Sequence, residues 1–185
     1  MSEFLKMAKD AIEVVKKIQS CNTAGAMITD RLGLTDHAKN VGKTQLLRPT
    51  TFYGDPHYKN TEYASKILDS GYGNCADKTD VAIQFLNNNH GNKARFTKCS
   101  SIGYDHAFLV IHTGGNLNYG AGNTNDRTAF GDDAVLVDSW QHDYYYLNGY
   151  PTINPKGWWI GPFQAITRYK IWSNQIHVLA TNETI

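Results

Sequence analysis

Apolar residues recur at three- and four-residue steps at the start of the chain. Phe4/Leu5, Ala8, Ala11/Ile12, Val15 and Ile18 are separated by Lys6, Lys9, Asp10, Lys16 and Lys17. That period predicts an amphipathic helix over 3–19. A shorter helix is expected over 24–33, closing at Gly33, whereas 34–60 reads as irregular because Thr-Asp, Arg-Pro and Gly-Asp-Pro interrupt any period. Helix resumes over 61–70, with Thr61 as a cap ahead of Tyr63, Ala64, Ile67 and Leu68. Gly71 and Gly73 break it, and the next helix runs from Cys75 to Asn88 before the Asn-rich stretch and Gly91 stop it. Its Val81, Ala82, Ile83, Phe85 and Leu86 cover most of the circumference, so its C-terminal half is expected to be buried.

The period then changes to two, or to unbroken apolar runs. Segments 94–102, 106–112 and 134–140 read as strands, and the tail adds 166–172 and 175–180. Helices first and antiparallel strands after give an α+β fold, with a central Cys-bearing helix packed on the sheet. Between two of the strands lies a Gly/Asn-rich stretch, 113–133, with almost no large apolar residue. It is expected to form a mobile flap beside the cleft, closing on substrate.

A length of 185 residues with 41% hydrophobic content suits one domain, 1–185, made of a helical part (1–70) and a Cys-helix-plus-sheet part (71–185). The net charge of +1 provides no field for nucleic acid or an anionic membrane, so neither is an expected partner. No run reaches the roughly 20 apolar residues of a membrane span. The charged opening stretch lacks the apolar core of a cleavable signal peptide. A cytoplasmic protein, or one delivered into a host cell without such a signal, is expected. Cys21, Cys75 and Cys99 are too few for a disulfide framework, and no pair has C-x-x-C spacing. No metal and no cofactor are expected.

Chemistry concentrates around Cys75, which follows a Gly-x-Gly-Asn turn at a helix start. The exposed N–H groups and positive dipole end there favour the thiolate over a thiol whose free pKa is about 8.5. His106 begins one apolar strand and Asp138 ends another. If these strands pack against the Cys helix, the imidazole takes the thiol proton and the carboxylate orients the ring, with Asp143 as second choice for the acid. Each residue also has a plain structural reading: an inert cysteine, a polar strand end, a turn-capping Asp. Cys75 is expected at an exposed position and Cys99, mid-strand, as a small buried hydrophobe. An oxyanion would find the Cys75 backbone N–H and one of Asn74, Tyr72 or Gln141, each equally readable as a turn or capping residue. Trp140 and Tyr144 belong to an aromatic segment, 140–159, that fills core or lines a substrate or partner groove.

The segments GNCADKTDVAIQFL, KARFTKCSSIG, DHAFLVIH and VLVDSW together resemble the transglutaminase-like branch of the papain-like Cys-His-Asp superfamily. The resemblance spans 71–140. It implies a papain-like fold with Cys75 as nucleophile, His106 as base and Asp138 as orienting acid. It also implies acyl transfer from an amide, with a protein glutamine side chain as the preferred substrate, as in bacterial effector and toxin deamidases and transglutaminases. A thiol peptidase is the alternative within the enzyme class. A non-catalytic module binding a partner through 140–159 is the alternative outside it. The sequence sets no oligomeric state.

Overall fold

A computed structural model describes residues 2–20, 61–101, 106–119, 123–148 and 175–181. The helix expected over 24–33, the irregular 34–60, the strand over 166–172, Cys21, and the aromatic residues Tyr150, Trp158 and Trp159 lie outside the described residues.

Helix α1 (Glu3–Val15) starts at Ser2, whose hydroxyl accepts the Leu5 N–H at 3.3 Å. It buries Met7, Ala8, Ala11, Ile12 and Val15, the stripe that its period marks. The chain then pairs β1 (Gln19–Ser20) in parallel with β2 (Tyr72–Gly73), which follows α2 (Thr61–Ser70). Two glycines make this junction possible. Gly71 turns the chain out of α2 at a φ of 70°, which side chains disfavour. Gly73 sits so close to its neighbours that an added Cβ would lie 3.1 Å from the Asp77 Cβ and 3.3 Å from the Ile18 Cγ2. The close approach seats Gly73 against Ile18 and Ile67, immediately ahead of Asn74 and Cys75.

Helix α3 (Cys75–His90) is central and packs on α1, α2 and the sheet. Its burial is stronger toward the N-terminus than its apolar residues indicate. Asp77, Lys78, Thr79 and Asp80 are buried along with Val81, Ala82, Ile83 and Leu86, while Asn88 and Asn89 near the C-terminus are exposed. Polar groups reach the interior because they are paired: the Lys98 Nζ lies 2.6 Å from Asp80, and the Tyr63 hydroxyl donates to Asp77 at 2.5 Å.

The sheet contains β3 (Arg95–Ser101), β4 (Ala107–His112), β5 (Asn125–Asp126), β6 (Val135–Asp138), β7 (Asp143–Tyr146) and β8 (Gln175–Thr181). Their order is β5-β8-β3-β4-β6-β7, with every pair antiparallel. The α+β fold with an antiparallel sheet therefore stands as expected. The sheet is covered on both sides, which is why β4 reads as an unbroken apolar run. Leu109 and Ile111 join Phe96, Val135 and Val137 under the helices. Phe108 and Val110 face the other way, among Cys99, Leu117, Phe130, Leu136, Ile176 and Val178.

That second core corrects the expected flap. Leu117 and Phe130 are buried in it, so the described part of 113–133 is a lid sealed onto the sheet. Asn118 and Asn125 hold it by reciprocal bonds of 2.7 and 2.8 Å, and Arg127–Phe130 forms a 3-10 turn capped by Asp126. Because Ile111 pairs with Val135, the segment leaves β4 and joins β6 at the end of the sheet away from His106 and Asp138. Among the described residues no helix is long and apolar enough to cross a membrane.

Candidate active site

Asn74 sets the start of α3. Its side-chain oxygen accepts the Asp77 N–H at 2.9 Å, and the Asp77 carboxylate accepts the Asn74 N–H at 2.9 Å, forming a capping box. This fixes the first turn and with it Cys75. The thiol is only 6% exposed, so the expected exposed helix start is a recessed one. The cause is β4: the Ala107 N–H donates to the Cys75 Sγ at 3.5 Å, and the Thr79 hydroxyl lies 2.8 Å from the Cys75 carbonyl and 3.3 Å from the Ala107 carbonyl. The Cys turn is stapled to the strand that follows His106.

His106, also 6% exposed, places Nε2 3.3 Å from Oδ2 of Asp138. Its ring stacks on Phe108 with 6.3 Å between centroids. With Nε2 facing the carboxylate, the ring also lies close enough to Cys75 for that thiol to act on its protonation. Burial by itself would lower the His106 pKa. The Asp138 charge and hydrogen bond, and then the Cys75 hydrogen bond and charge, outweigh it and raise the ring to about 10.

Asp138 is fully buried at the end of β6. While Oδ2 faces His106, Oδ1 accepts the backbone N–H of Trp140 at 3.1 Å and of Gln141 at 3.0 Å. The tight turn after β6 thus orients the carboxylate. Cys75, His106 and Asp138 come together from a helix and two neighbouring strands. Asp143, the second choice, sits opposite Asp138 across β6–β7 and accepts its neighbour Tyr144 N–H at 3.0 Å.

The remaining candidates divide. Asn74 is the helix cap, and Gln141 is half-buried with its backbone N–H held by Asp138, so both support the site. Tyr72 is half-buried in β2, where Gln19 pairs with it. Trp140 is half-buried with its ring beside Lys78. Tyr144 is half-buried and packs against the edge of the core beneath the helices. Cys99 is fully buried on the opposite face of the sheet, where burial pushes its thiol pKa well up. Among the described residues no three His, Cys, Asp or Glu side chains group as a metal cage.

Sequence reasoning missed Lys78 and His142. The Lys78 Nζ lies 3.2 Å from the His142 Nε2 and 5.7 Å from the centre of the Trp140 ring. A signal existed: a helix apolar around most of its circumference leaves no solvated face for a lysine one turn from Cys75. Compared with known proteins, the chain matches no family model and no curated sequence.

Proposed function

We propose that the protein is a cysteine-dependent acyl-transfer enzyme acting on amides, with a papain-like arrangement of its Cys helix and sheet. The observation that carries this reading is a buried His106 held 3.3 Å from the buried Asp138 carboxylate, with the next residue, Ala107, donating its N–H to the Cys75 Sγ at 3.5 Å. A ring raised to about 10 carries a proton at neutral pH that it can pass to a leaving group. The Cys75 sulfur attacks an amide carbonyl, and the His106 imidazolium gives its proton to the departing nitrogen. Water or an amine then resolves the thioester, with His106 acting as base. Asp138 keeps the ring in register throughout. The Ala107 N–H steadies the thiolate before attack, and the Cys75 N–H at the helix start is placed to meet the oxyanion.

The glutamine preference rests on the likeness of GNCADKTD, DHAFLVIH and VLVDSW to transglutaminase-like proteins. The substrate is then a protein glutamine side chain, and ammonia is the leaving group. Incubation with candidate proteins followed by intact-mass analysis tests this. Deamidation adds one dalton per site, amine transfer adds the amine less ammonia, and chain cleavage would indicate the peptidase instead. Cys75→Ala should give none of these products. Turnover retained in that variant would remove Cys75 as nucleophile.

A further inference from the structure

The described residues hold a second polar cluster that the proposed chemistry leaves unused. Lys78 lies one turn after Cys75 on α3 and is fully buried. Its Nζ is 3.2 Å from the His142 Nε2. His142 closes the four-residue turn 139–142 between β6 and β7 and has a φ of 57°. A residue with a Cβ is disfavoured there, and glycine or asparagine is the ordinary occupant. The same turn contributes the Trp140 and Gln141 N–H groups that hold Oδ1 of Asp138. The shape of the turn sets Asp138, Asp138 sets His106, and Lys78 fastens the turn to the helix that bears Cys75.

We propose that the Lys78–His142 contact is a latch that positions Asp138 and His106 relative to Cys75, and that it opens when His142 takes up a proton. The proposal rests on the reading of Cys75, His106 and Asp138 as a catalytic group. In the closed latch the Lys78 ammonium donates to an unprotonated Nε2. A protonated imidazole has no acceptor at that atom and would set two cations 3.2 Å apart. The charged groups around His142 are Lys78 from α3, Lys16 and Glu13 from α1, Asp138 from β6 and, adjoining it, Asp143 at the start of β7. Burial first, then Lys78 and Lys16, hold the His142 pKa below the usual histidine value, against the weaker pull of Asp138 and Glu13. The latch is therefore closed at neutral pH and opens on acidification. Lys78 and His142 are positioning residues that act through Asp138 and His106.

The test is the rate of Cys75 alkylation by iodoacetamide against pH, with thermal unfolding measured alongside, in the wild type, His142→Gly, His142→Gln and His106→Ala. His142→Gly removes the imidazole and also relieves the backbone, so a purely structural turn would be unharmed or improved. The latch instead predicts a Tm unchanged or higher with alkylation at neutral pH down about tenfold, the scale expected when a reacting group is slightly misplaced. His142→Gln keeps an acceptor that does not titrate. It should retain most of the neutral rate and lose the fall in rate on acidification that the latch predicts for the wild type. Wild-type rates and profile in His142→Gly would overturn the latch. A wild-type Cys75 that alkylates like an ordinary thiol, indifferent to His106→Ala, would overturn the catalytic reading and the latch with it.

Discussion

Two buried histidines, His106 and His112, lie at opposite ends of the β4 segment, and their environments drive them apart. Burial acts on both in the same direction, against the charged form. At His106 the Asp138 carboxylate and the Cys75 thiol reverse it and raise the ring to about 10. At His112 no carboxylate among the described residues opposes it. Burial and then the nearby Arg95 charge lower the ring to about 4, against a weaker pull from the Gly114 backbone. The His112 Nε2 shares a 2.6 Å hydrogen bond with the Thr97 hydroxyl, and its ring meets Phe130 edge-on at 5.1 Å. One end of the strand keeps a proton available and the other excludes it. A buried histidine is thus no sign of chemistry; its neighbours decide.

The comparison breaks most readily at Asp138. Asp138→Asn removes the charge that separates the two rings, so His106 should titrate below the usual histidine value, as His112 does, when followed by ring-proton NMR. Amide turnover should fall by about 10⁴-fold, the loss seen when the carboxylate of a catalytic triad is neutralised. A ring still protonated at neutral pH would show that Asp138 is not what distinguishes the two histidines. The next largest effect belongs to His106→Ala. Alkylation of Cys75 at neutral pH should drop about a hundredfold, the lower end of what a positioned acid–base group contributes. His112→Gln should leave that rate alone. Equal losses in the two variants would mean that the rate reports general loosening of the sheet.

At the His112 end the expected effects are on stability. Thr97→Val leaves the buried His112 Nε2 without its hydroxyl partner and should cost about 1–3 kcal/mol in denaturant unfolding, with alkylation unchanged.

How much of this was legible along the chain follows from how local each signal is. The Cys helix shows itself through Gly71, Gly73 and a run of apolar residues, and β4 and β6 through theirs, so Cys75, His106 and Asp138 fall at element ends that periodicity can locate. The lid over the second sheet face is different. Leu117 and Phe130 sit in glycine- and asparagine-rich stretches with no period, and only the sheet's need for cover on its second side buries them. The charges of α3 are legible only in part. Burial of Lys78 can be suspected from the apolar residues around it, but the partners of Asp77, Lys78 and Asp80, which are Tyr63, His142 and Lys98, come from distant parts of the chain. Pairing across such sequence distances leaves no local mark.

A single experiment tests both histidines together, the pH dependence of unfolding free energy. For His112 the folded pKa, about 4, lies below the usual 6.5. Between these values the unfolded chain binds the proton and the native protein does not, so this contribution to stability is present above pH 6.5 and is lost as pH falls through 4. For His106 the folded pKa of about 10 lies above 6.5, so the native protein binds the extra proton. Its contribution is full below pH 6.5 and is lost as pH rises toward 10. Each limb has a slope of at most ~1.4 kcal/mol per pH unit, the value for one proton. Taken as differences from the wild type, His112→Gln should flatten the acid limb alone and His106→Gln the alkaline limb alone. If both substitutions altered the same limb, the two ends of β4 would not hold their protons differently. The contrast between a ring that holds its proton and one that excludes it would then be lost.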